Sequence, residues 1–200
     1  ARANKQLGYL ENSRAELIET ACQQVIDGVH HDQFVVDMIQ GGAGTSTNMN
    51  ANEVIANVAL DLMGQDKGDY QQLHPNNDVN MSQSTNDAYP TAVRAAILLS
   101  HGDLVVALRS LQLTLADKAL EFADVIKMGR TQLQDAVPMT LGQEFQSWAT
   151  TLGEDVERIA GLAELLTEIN LGGTAIGTGI NADERYGKRA VSELARISGY

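Results

Sequence analysis

The stretch PMTLGQEFQSWATTLGEDVERIAGLAELLTEIN, residues 138–170, decides the fold class of this chain. Its apolar side chains recur every three or four residues, as they do on one face of an α-helix. They are Leu141, Phe145, Trp148, Leu152, Val156, Ile159 and Leu166. A helix of about 30 residues is roughly 45 Å long, which is too long for an ordinary globule of this chain length. The stretch therefore predicts an all-α fold, an elongated helical bundle that partner chains continue.

Apolar periodicity predicts shorter helices on both sides of this stretch. Ser13 and Glu16 have the spacing of a capping box, and they precede an amphipathic pattern that Gly28 is placed to end. The same periodicity predicts helices at about residues 50–64 and 183–197. These helices agree with an all-α fold.

Another long helical pattern starts near Pro90, a favoured first residue of a helix, and continues to Lys127. We expect a break in it at residues 100–102, Ser-His-Gly. Residues 29–40 fit either an extended or a helical conformation. No segment alternates convincingly with period two, so no sheet is predicted. No apolar run approaches the length of a membrane span, so we expect no membrane partner.

The charge of the chain argues against nucleic acid as a partner. It carries 26 acidic and 14 basic residues, a net charge of −12, whereas phosphate binding requires clustered Lys and Arg. The one cysteine, Cys22, cannot form a disulfide within the chain and lies in an apolar helical stripe. We interpret Cys22 as a buried structural thiol in a reducing compartment.

Three polar segments interrupt the helical pattern and form the candidate site. They are TSTN at residues 45–48, which follows GGAG at 41–44, STND at 84–87 and GRTQ at 129–132. Each lies before a predicted helix, and helix N termini carry unpaired N–H groups and a partial positive charge. If the segments converge, their hydroxyl and amide groups would hold a small anion with several oxygens, such as a dicarboxylate.

Helix capping is the commoner role for any one of these segments, because Ser, Thr, Asn and Asp are frequent caps. The glycines at 41–44 favour a ligand at the first segment, since glycine lets a backbone turn tightly or approach a ligand. That loop is neither a Walker loop nor a dinucleotide fingerprint. His74 lies in a turn-like stretch and is interpreted as a structural or surface residue rather than a catalytic one, and no cysteine–histidine cluster predicts a zinc site.

These segments, in this order, resemble the fumarase/aspartase family of lyases, whose members cleave or form a bond beside a fumarate-like product. The resemblance covers residues 41–63, 79–91, 127–144 and 171–181. It implies the helical fold of that family. Residues 1–84 would be the end of its N-terminal domain, and residues 85–200 the first part of its central helical bundle.

Within the family, the sequence is closer to the branch that deaminates L-aspartate than to the fumarases. GGAGTS at 41–46 and QSTNDAYP at 83–90 resemble the deaminating branch. At the position of Gln132, fumarases carry a His that helps to handle water, and Gln cannot act as a proton carrier near neutral pH. The resemblance therefore implies reversible conversion of L-aspartate to fumarate and ammonia. The alternatives are a fumarate hydratase, and an inactive helical assembly in which the polar segments are only caps.

The resemblance also implies a role for each polar residue. L-aspartate loses a proton beside its side-chain carboxylate, and hydrogen bonds hold the resulting aci-carboxylate until ammonia leaves. The substrate-binding residues that it implies are Thr45, Ser84, Thr85, Asn86, Thr131 and Gln132. Ser84 and Thr85 would hold the aci-carboxylate, while Ser46 and Asn48 would shape the loop.

The base of the family is a Ser on a mobile loop with the pattern Gly-Ser-Ser-x-Met-Pro-x-Lys-x-Asn, which does not occur in this sequence. No catalytic residue is therefore assigned, and we expect the chain alone to be inactive. The resemblance implies a homotetramer with sites shared between subunits, and no cofactor, with activation by Mg²⁺ left open. Ala1 is not an initiator Met and no signal peptide precedes it, so we expect a piece of a cytoplasmic protein.

Overall fold

A computed structural model describes residues 1–39 and 42–200 of the chain. Helices hold 62% of the residues and strands 7%, which confirms the predicted helical fold class. The α-helices are α1 (Arg2–Gln6), α2 (Asn12–Ile26), α3 (Thr45–Leu62), α4 (Thr85–Glu121), α5 (Leu141–Leu166) and α6 (Tyr186–Ser198). A 3₁₀ turn at His31–Gln33 and a π turn at Pro75–Val79 complete the helical share. The strands are β1 (Ile126–Thr131) and β2 (Gln134–Thr140). Residue 40 of the ambiguous segment and Gly41 of the glycine-rich loop lie outside the described residues.

The chain forms two compact units. The first holds residues 1–94 and 169–200, and the second holds residues 95–168. The predicted division at residue 84 concerns the domains of the family's complete protein, whereas the compact units reflect packing within this chain. That division stays a prediction.

The core of the first unit is the contact between α2 and α3. Ala15 on α2 and Ala56 and Ala59 on α3 are fully buried there. Small side chains let two helices approach closely, and the fully buried Leu60 fills the space beside them. This packing fixes the direction of α3, whose first residue is Thr45.

A second cluster in the first unit joins α1 to α6. It consists of Ala3, Tyr186 and Ala190, with Leu171 packed against them. Because Leu171 lies in the loop between α5 and α6, the cluster anchors the part of that loop next to Leu171.

In the second unit, the part of α4 from residue 95 onward runs antiparallel to α5. Near the start of α5, Gly142 lies so close to Ala119 that an added Cβ would approach the Ala119 carbonyl oxygen to 2.5 Å. Nearer its end, the Ile159 carbonyl bonds the His101 imidazole at 2.7 Å. The missing side chain of Gly142 therefore permits the close approach of these two helices.

An antiparallel β-hairpin precedes α5, so the expectation of no sheet is wrong at residues 126–140. Lys127 lies in β1 and Pro138 in β2, so the predicted helix does not reach Lys127 and does not begin at Pro138. Most side chains of β2 are exposed on both faces, so the segment has no period-two pattern to detect. α5 begins instead at Leu141, behind a capping box formed by Thr140 and Gln143.

Three other helices begin at residues that differ from the predictions. α4 begins at Thr85 rather than near Pro90, which lies inside its second turn. α3 begins at Thr45 rather than near residue 50, because Gly44 has a φ of +85° and turns the chain directly into the helix. α6 begins at Tyr186 rather than near residue 183, because the Asp183 carboxylate bonds the Arg185 backbone N–H at 2.8 Å in a local turn.

The predicted capping box at Ser13 is wrong. α2 already includes Asn12, and Ser13 Oγ donates to the Glu11 carboxylate at 2.7 Å. The expected break at residues 100–102 is also wrong, because α4 continues through it. A glycine inside a helix costs only about 1 kcal/mol, and the many strong helix formers of the 37-residue α4 outweigh that cost. In the ambiguous segment, the described residues hold a 3₁₀ turn at His31–Gln33.

Among the described residues, α4 is the one helix that is long and apolar enough, by length and composition alone, to cross a membrane. Its mean hydropathy reaches 1.5 over 18 residues, of which 11% are buried. The expectation that no apolar run approaches a membrane span is therefore wrong for α4. One such helix is weak evidence for a membrane, because a helix that other chains cover has the same composition. The absence of a membrane partner stays a prediction.

Candidate active site

The first turns of α3 and α4 lie against each other in the first unit. The Asn48 side-chain amide on α3 donates to the Thr85 hydroxyl oxygen on α4 over 2.9 Å. The same amide lies 3.4 Å from the side-chain oxygen of Asn80. The structure thus brings together two of the three polar segments, residues 45–48 and 84–87.

The hydroxyl groups of Ser84 and Thr85 are oriented as hydrogen-bond donors. Thr85 Oγ1 accepts from Asn48, and Ser84 Oγ accepts the Asn86 backbone N–H at 3.2 Å. A hydroxyl oxygen that accepts one bond keeps its own O–H to donate. In the part of the chain that the structure describes, neither O–H has a protein acceptor. Both are therefore available to an oxygen anion.

Gly44 sets the direction in which α3 begins. The ring of Tyr89 packs on Gly44, and a Cβ added at Gly44 would overlap that ring. Thr45 and Ser46 follow with exposed side chains. The first turn of α3 reads TSTN, without an acidic residue, so the positive end of its helix dipole favours an anion beside Thr45.

A cavity of about 460 Å³ adjoins this turn. Its described lining residues are Met38, Gly42, Ala43, Gly44, Tyr89, Pro90, Val93 and Arg94. None of these residues belongs to the predicted substrate ligands. The cavity therefore lies beside the candidate site rather than containing it.

Asp87 is a site residue that sequence reasoning missed. It is fully buried in the first turn of α4. Its carboxylate accepts three backbone N–H groups, from Ser84 at 2.9 Å, Gly172 at 3.1 Å and Thr174 at 2.8 Å. Within residues 1–39 and 42–200, no Lys or Arg forms an ion pair with it. The available sequence signal is an acidic residue in the first turn of a helix, which is equally the mark of an ordinary dipole partner.

Asn86 forms two further hydrogen bonds with the loop at residues 170–175, which contains Gly172 and Thr174. Its side-chain amide donates to the Ala175 carbonyl at 2.8 Å, and its backbone carbonyl accepts from the Asn170 amide at 3.0 Å. Part of the hydrogen-bonding capacity of Asn86 is therefore used within the chain. Its predicted role as a substrate ligand stays a prediction.

The third polar segment lies in the second unit, at the tip of the hairpin. Thr131 pairs with Gln134 at the end of the strands, and Gln132 begins the two-residue turn with a φ of +53°. Both Thr131 and Gln132 are exposed. A left-handed Gln is an uncommon choice in a turn, and such backbone strain is often found at functional sites. Its convergence with the other two segments stays a prediction.

The Asp87 carboxylate also affects the titration of its neighbour Tyr186. Burial raises the pKa of Tyr186 to about 12, and the negative charge of Asp87 adds to the shift. The Tyr186 side chain is 4% exposed, so little solvent screens this effect. The Tyr186 side chain therefore stays buried and neutral near the Asp87 carboxylate throughout the physiological pH range.

The remaining candidates have structural roles. His74 Nδ1 accepts the backbone N–H groups of Asn76 and Asn77 at 3.0 and 3.3 Å, so the structural interpretation of His74 is confirmed. Cys22 packs against the core of the first unit, and burial raises the pKa of its thiol. Among the described residues, no group of three or more His, Cys, Asp and Glu is arranged to hold a metal ion.

The arrangement at the starts of α3 and α4 can bind a small dianion through neutral donors. Two hydroxyls are held in place by neighbouring groups, and a helix N terminus lies beside them. Donors that are oriented before the reaction stabilise charge that develops on an oxygen during it. Chemistry in which a carboxylate gains negative charge fits this arrangement.

A protein-family model described as Lyase matches residues 1–200, the whole chain. The chain belongs to this lyase family, and its resemblance to the fumarase/aspartase lyases is confirmed. Among curated relatives, an aspartate ammonia-lyase from Pseudomonas aeruginosa is 68% identical over 200 residues, which are 100% of this chain and 42% of that relative. The chain thus spans less than half the length of the curated relatives that it matches.

Two solved structures have the same fold. A protein from Brucella melitensis, described as a fumarate lyase:delta crystallin bound to cobalt, matches with a TM-score of 0.88 and 58% identity over 99% of this chain and 43% of that one. A class II fumarase from Schistosoma mansoni matches with a TM-score of 0.81 and 35% identity over 98% of this chain and 42% of that one. Both structures share the fold of this chain, but their sequence identities to it differ, at 58% and 35%.

Proposed function

We propose that the complete protein converts L-aspartate reversibly to fumarate and ammonia. The observation that carries this proposal is the 68% identity over the whole chain to an aspartate ammonia-lyase, against 35% to a class II fumarase. The proposal concerns the complete protein because the chain spans 42% of that relative. The neutral donors at the starts of α3 and α4 support it.

The reaction removes a proton from the carbon beside the side-chain carboxylate of L-aspartate, and the proton passes to the loop serine that the family resemblance implies, in the part of the complete protein outside this sequence. The electron pair of that C–H bond moves onto the carboxylate, which becomes a doubly charged aci-carboxylate. As the pair returns to form the carbon–carbon double bond, the C–N bond breaks and nitrogen leaves as ammonia. Ser84 and Thr85 donate their O–H groups to the aci-carboxylate, and their bonds to Asn86 and Asn48 orient them beforehand.

The other ligands take the remaining polar groups of the substrate. Thr45, at the positive end of the α3 dipole, suits the second carboxylate. Asn86, Thr131 and Gln132 complete the set, while Ser46 and Asn48 shape the loop. The bond from Asn48 to Thr85 supports that shaping role, since it links the loop to a substrate donor.

The active form is a homotetramer with sites shared between subunits. Exposed apolar side chains of α4 support an assembly. Burying apolar surface between subunits stabilises the assembly by about 25 cal/mol for each Å² removed from water. The exposed side chains are Val93, Ile97, Leu99, Leu104, Val106, Leu111, Leu113 and Leu120. We propose a cytoplasmic enzyme that needs no cofactor, with Mg²⁺ as an activator to be tested. The chain by itself is inactive, since its sequence lacks the base-loop pattern.

The test follows the ultraviolet absorbance of fumarate after L-aspartate, and separately L-malate, is added to the complete protein. Fumarate from L-aspartate alone is the expected result. Fumarate from L-malate alone would establish a hydratase, the alternative that the class II fumarase structure favours. The same assay on the isolated chain should give no product, and turnover proportional to the concentration of that chain would overturn its predicted inactivity.

A further inference from the structure

The loop at residues 170–175 has a conformation that its own sequence does not favour. Thr174 is β-branched and buried, yet its φ is +57°, in the left-handed region that β-branched residues rarely adopt. Gly172, by contrast, suits its place, because glycine adopts its φ of +98° freely and a Cβ added there would lie 2.5 Å from the Gly187 Cα. Strained backbone like that at Thr174 persists only where surrounding contacts over-determine it.

Those contacts come from the first turn of α4. Asp87 Oδ2 accepts the N–H groups of Gly172 and Thr174, and Asn86 adds two more bonds between α4 and the loop. Backbone bonds of Gly173 to Asn170 and Gly177 hold the loop locally. The bond to Thr174, at 2.8 Å, fixes the backbone at the strained residue itself. Asp87 is therefore the residue of α4 that bonds the strained position of this loop directly.

The same carboxylate fixes the residue that precedes α4. Asp87 Oδ1 accepts the Ser84 N–H at 2.9 Å, and Ser84 Oγ in turn accepts the Asn86 N–H. One buried charge thus holds a predicted substrate donor and a separate loop in one fixed arrangement. Because the carboxylate is fully buried, it cannot itself reach a substrate in solution.

We propose that Asp87 is a positioning residue for the dicarboxylate substrate. Its carboxylate locks the loop at 170–175 onto the start of α4, so that the loop and the hydroxyls of Ser84 and Thr85 form one rigid binding surface. The inference rests on the proposed function and adds a residue outside the predicted ligand set. Asp87 acts through Ser84 and the loop, without touching the substrate.

The test compares Asp87→Asn with Asp78→Asn in the complete protein. Asn has one acceptor oxygen instead of two, so at least one of the three N–H groups at position 87 loses its partner. Asp78 is a matched control, since it is also buried and accepts the His74 N–H at 2.7 Å and an Arg14 N–H at 3.1 Å. Its substitution removes comparable bonds without reaching the 170–175 loop.

Three readouts separate positioning from general destabilisation. In Asp87→Asn, we expect hydrogen exchange at the Gly172 and Thr174 amides to accelerate about tenfold or more, as it does when a bond to a charged acceptor is lost. The KM for L-aspartate and the inhibition constant of succinate should each rise about tenfold. Asp78→Asn should lower Tm while leaving the two amides, KM and the succinate constant unchanged.

Unchanged hydrogen exchange at the Gly172 and Thr174 amides in Asp87→Asn would show that Asp87 does not hold the 170–175 loop. Faster exchange with unchanged succinate binding would overturn the positioning role. If the complete protein forms no fumarate from L-aspartate, the proposed function fails, but succinate binding and exchange still test Asp87. Should Asp87→Asn not fold, Asn170→Ala removes an exposed bond to the same loop. Faster exchange and about threefold weaker succinate binding are then expected, and no change would overturn the inference.

Discussion

The Asn48 side-chain amide on α3 donates to Thr85 Oγ1 on α4 over 2.9 Å. This bond joins the first turns of two helices through residues that are 37 positions apart in sequence. It leaves the Thr85 hydroxyl with a proton to donate. The candidate site is therefore a pair of linked helix starts rather than a single loop.

Thr85→Val tests the role of that hydroxyl, because Val has nearly the same shape and no O–H. If Thr85 donates to the aci-carboxylate, kcat of the complete protein should fall by about 10²–10³, as for loss of one oxyanion-hole donor. Thr114→Val is the control, since Thr114 lies on the same helix and donates to the Ser110 carbonyl of its own helix at 2.9 Å. Near-normal turnover in Thr85→Val would show that the hydroxyl has no such role.

Asn48→Leu tests whether Asn48 acts through Thr85. The substitution removes the 2.9 Å bond and frees the Thr85 side chain to rotate. We expect kcat to fall about tenfold, less than in Thr85→Val, because the donor remains but is no longer held. In the double variant Asn48→Leu with Thr85→Val, kcat should be no lower than in Thr85→Val alone. Additive losses would mean that Asn48 has a separate role.

Gly44→Ala should disturb the start of α3 more than the loss of glycine alone explains. Gly8 has a similar φ of +81° and nothing within 4 Å of an added Cβ, so Gly8→Ala measures the cost of the backbone conformation, about 1–2 kcal/mol. Gly44→Ala adds an overlap with the Tyr89 ring, and its Tm should be lower than that of Gly8→Ala. Equal Tm values in a thermal scan would contradict the packing of Tyr89 on Gly44.

Two glycines of α5 should respond to alanine with opposite signs. Gly161 has open space around an added Cβ, so Gly161→Ala should stabilise the helix by about 0.5–1 kcal/mol. At Gly142 the added Cβ would meet the Ala119 carbonyl oxygen at 2.5 Å, so Gly142→Ala should destabilise the second unit by about 1–3 kcal/mol. Urea unfolding of both variants measures the difference. A stabilising Gly142→Ala would disprove the close contact of α4 with α5.

The raised pKa of Tyr186 predicts a loss of stability at high pH. Burial, with the charge of Asp87, raises this pKa from 10.0 to about 12 in the folded state. Below pH 10 the Tyr186 hydroxyl is protonated in both the folded and the unfolded protein, and its favourable contribution to the free energy of unfolding is complete. This contribution is lost as pH rises toward 12, because the tyrosine of the unfolded protein releases its proton first. The shift corresponds to about 3 kcal/mol.

Tyr186→Phe removes this titration. The free energy of unfolding of the complete protein should therefore fall less steeply between pH 10 and pH 12 in the variant than in the natural protein. The other tyrosines and the lysines titrate in both proteins, so the difference between the two curves isolates Tyr186. Parallel curves would contradict the burial of its hydroxyl next to Asp87.

The sequence predicted two of the converging segments but not the residue that organises them. TSTN and STND carry an excess of polar side chains where an apolar pattern is interrupted, so they could be found by inspection. Asp87 stands in the same motif, but its partners Gly172 and Thr174 are more than 80 residues further along the chain. Bonds of that kind depend on how α4 and the loop pack, which local periodicity does not report.

Helical periodicity alone determined that this chain is built from long helices, because a run of apolar residues every three or four positions is satisfied only by burying one helical face. The ends of the helices were harder to predict from the sequence. α3 begins directly after Gly44, and α5 begins after the exposed hairpin and the Thr140 cap, several residues from the predicted starts. Only the tertiary structure decided that Asn48 meets Thr85 and that a buried Asp87 holds the 170–175 loop. The physical reason is that long-range hydrogen bonds form between backbone and side-chain groups that any sequence contains, and only the packing of the helices selects which of them meet.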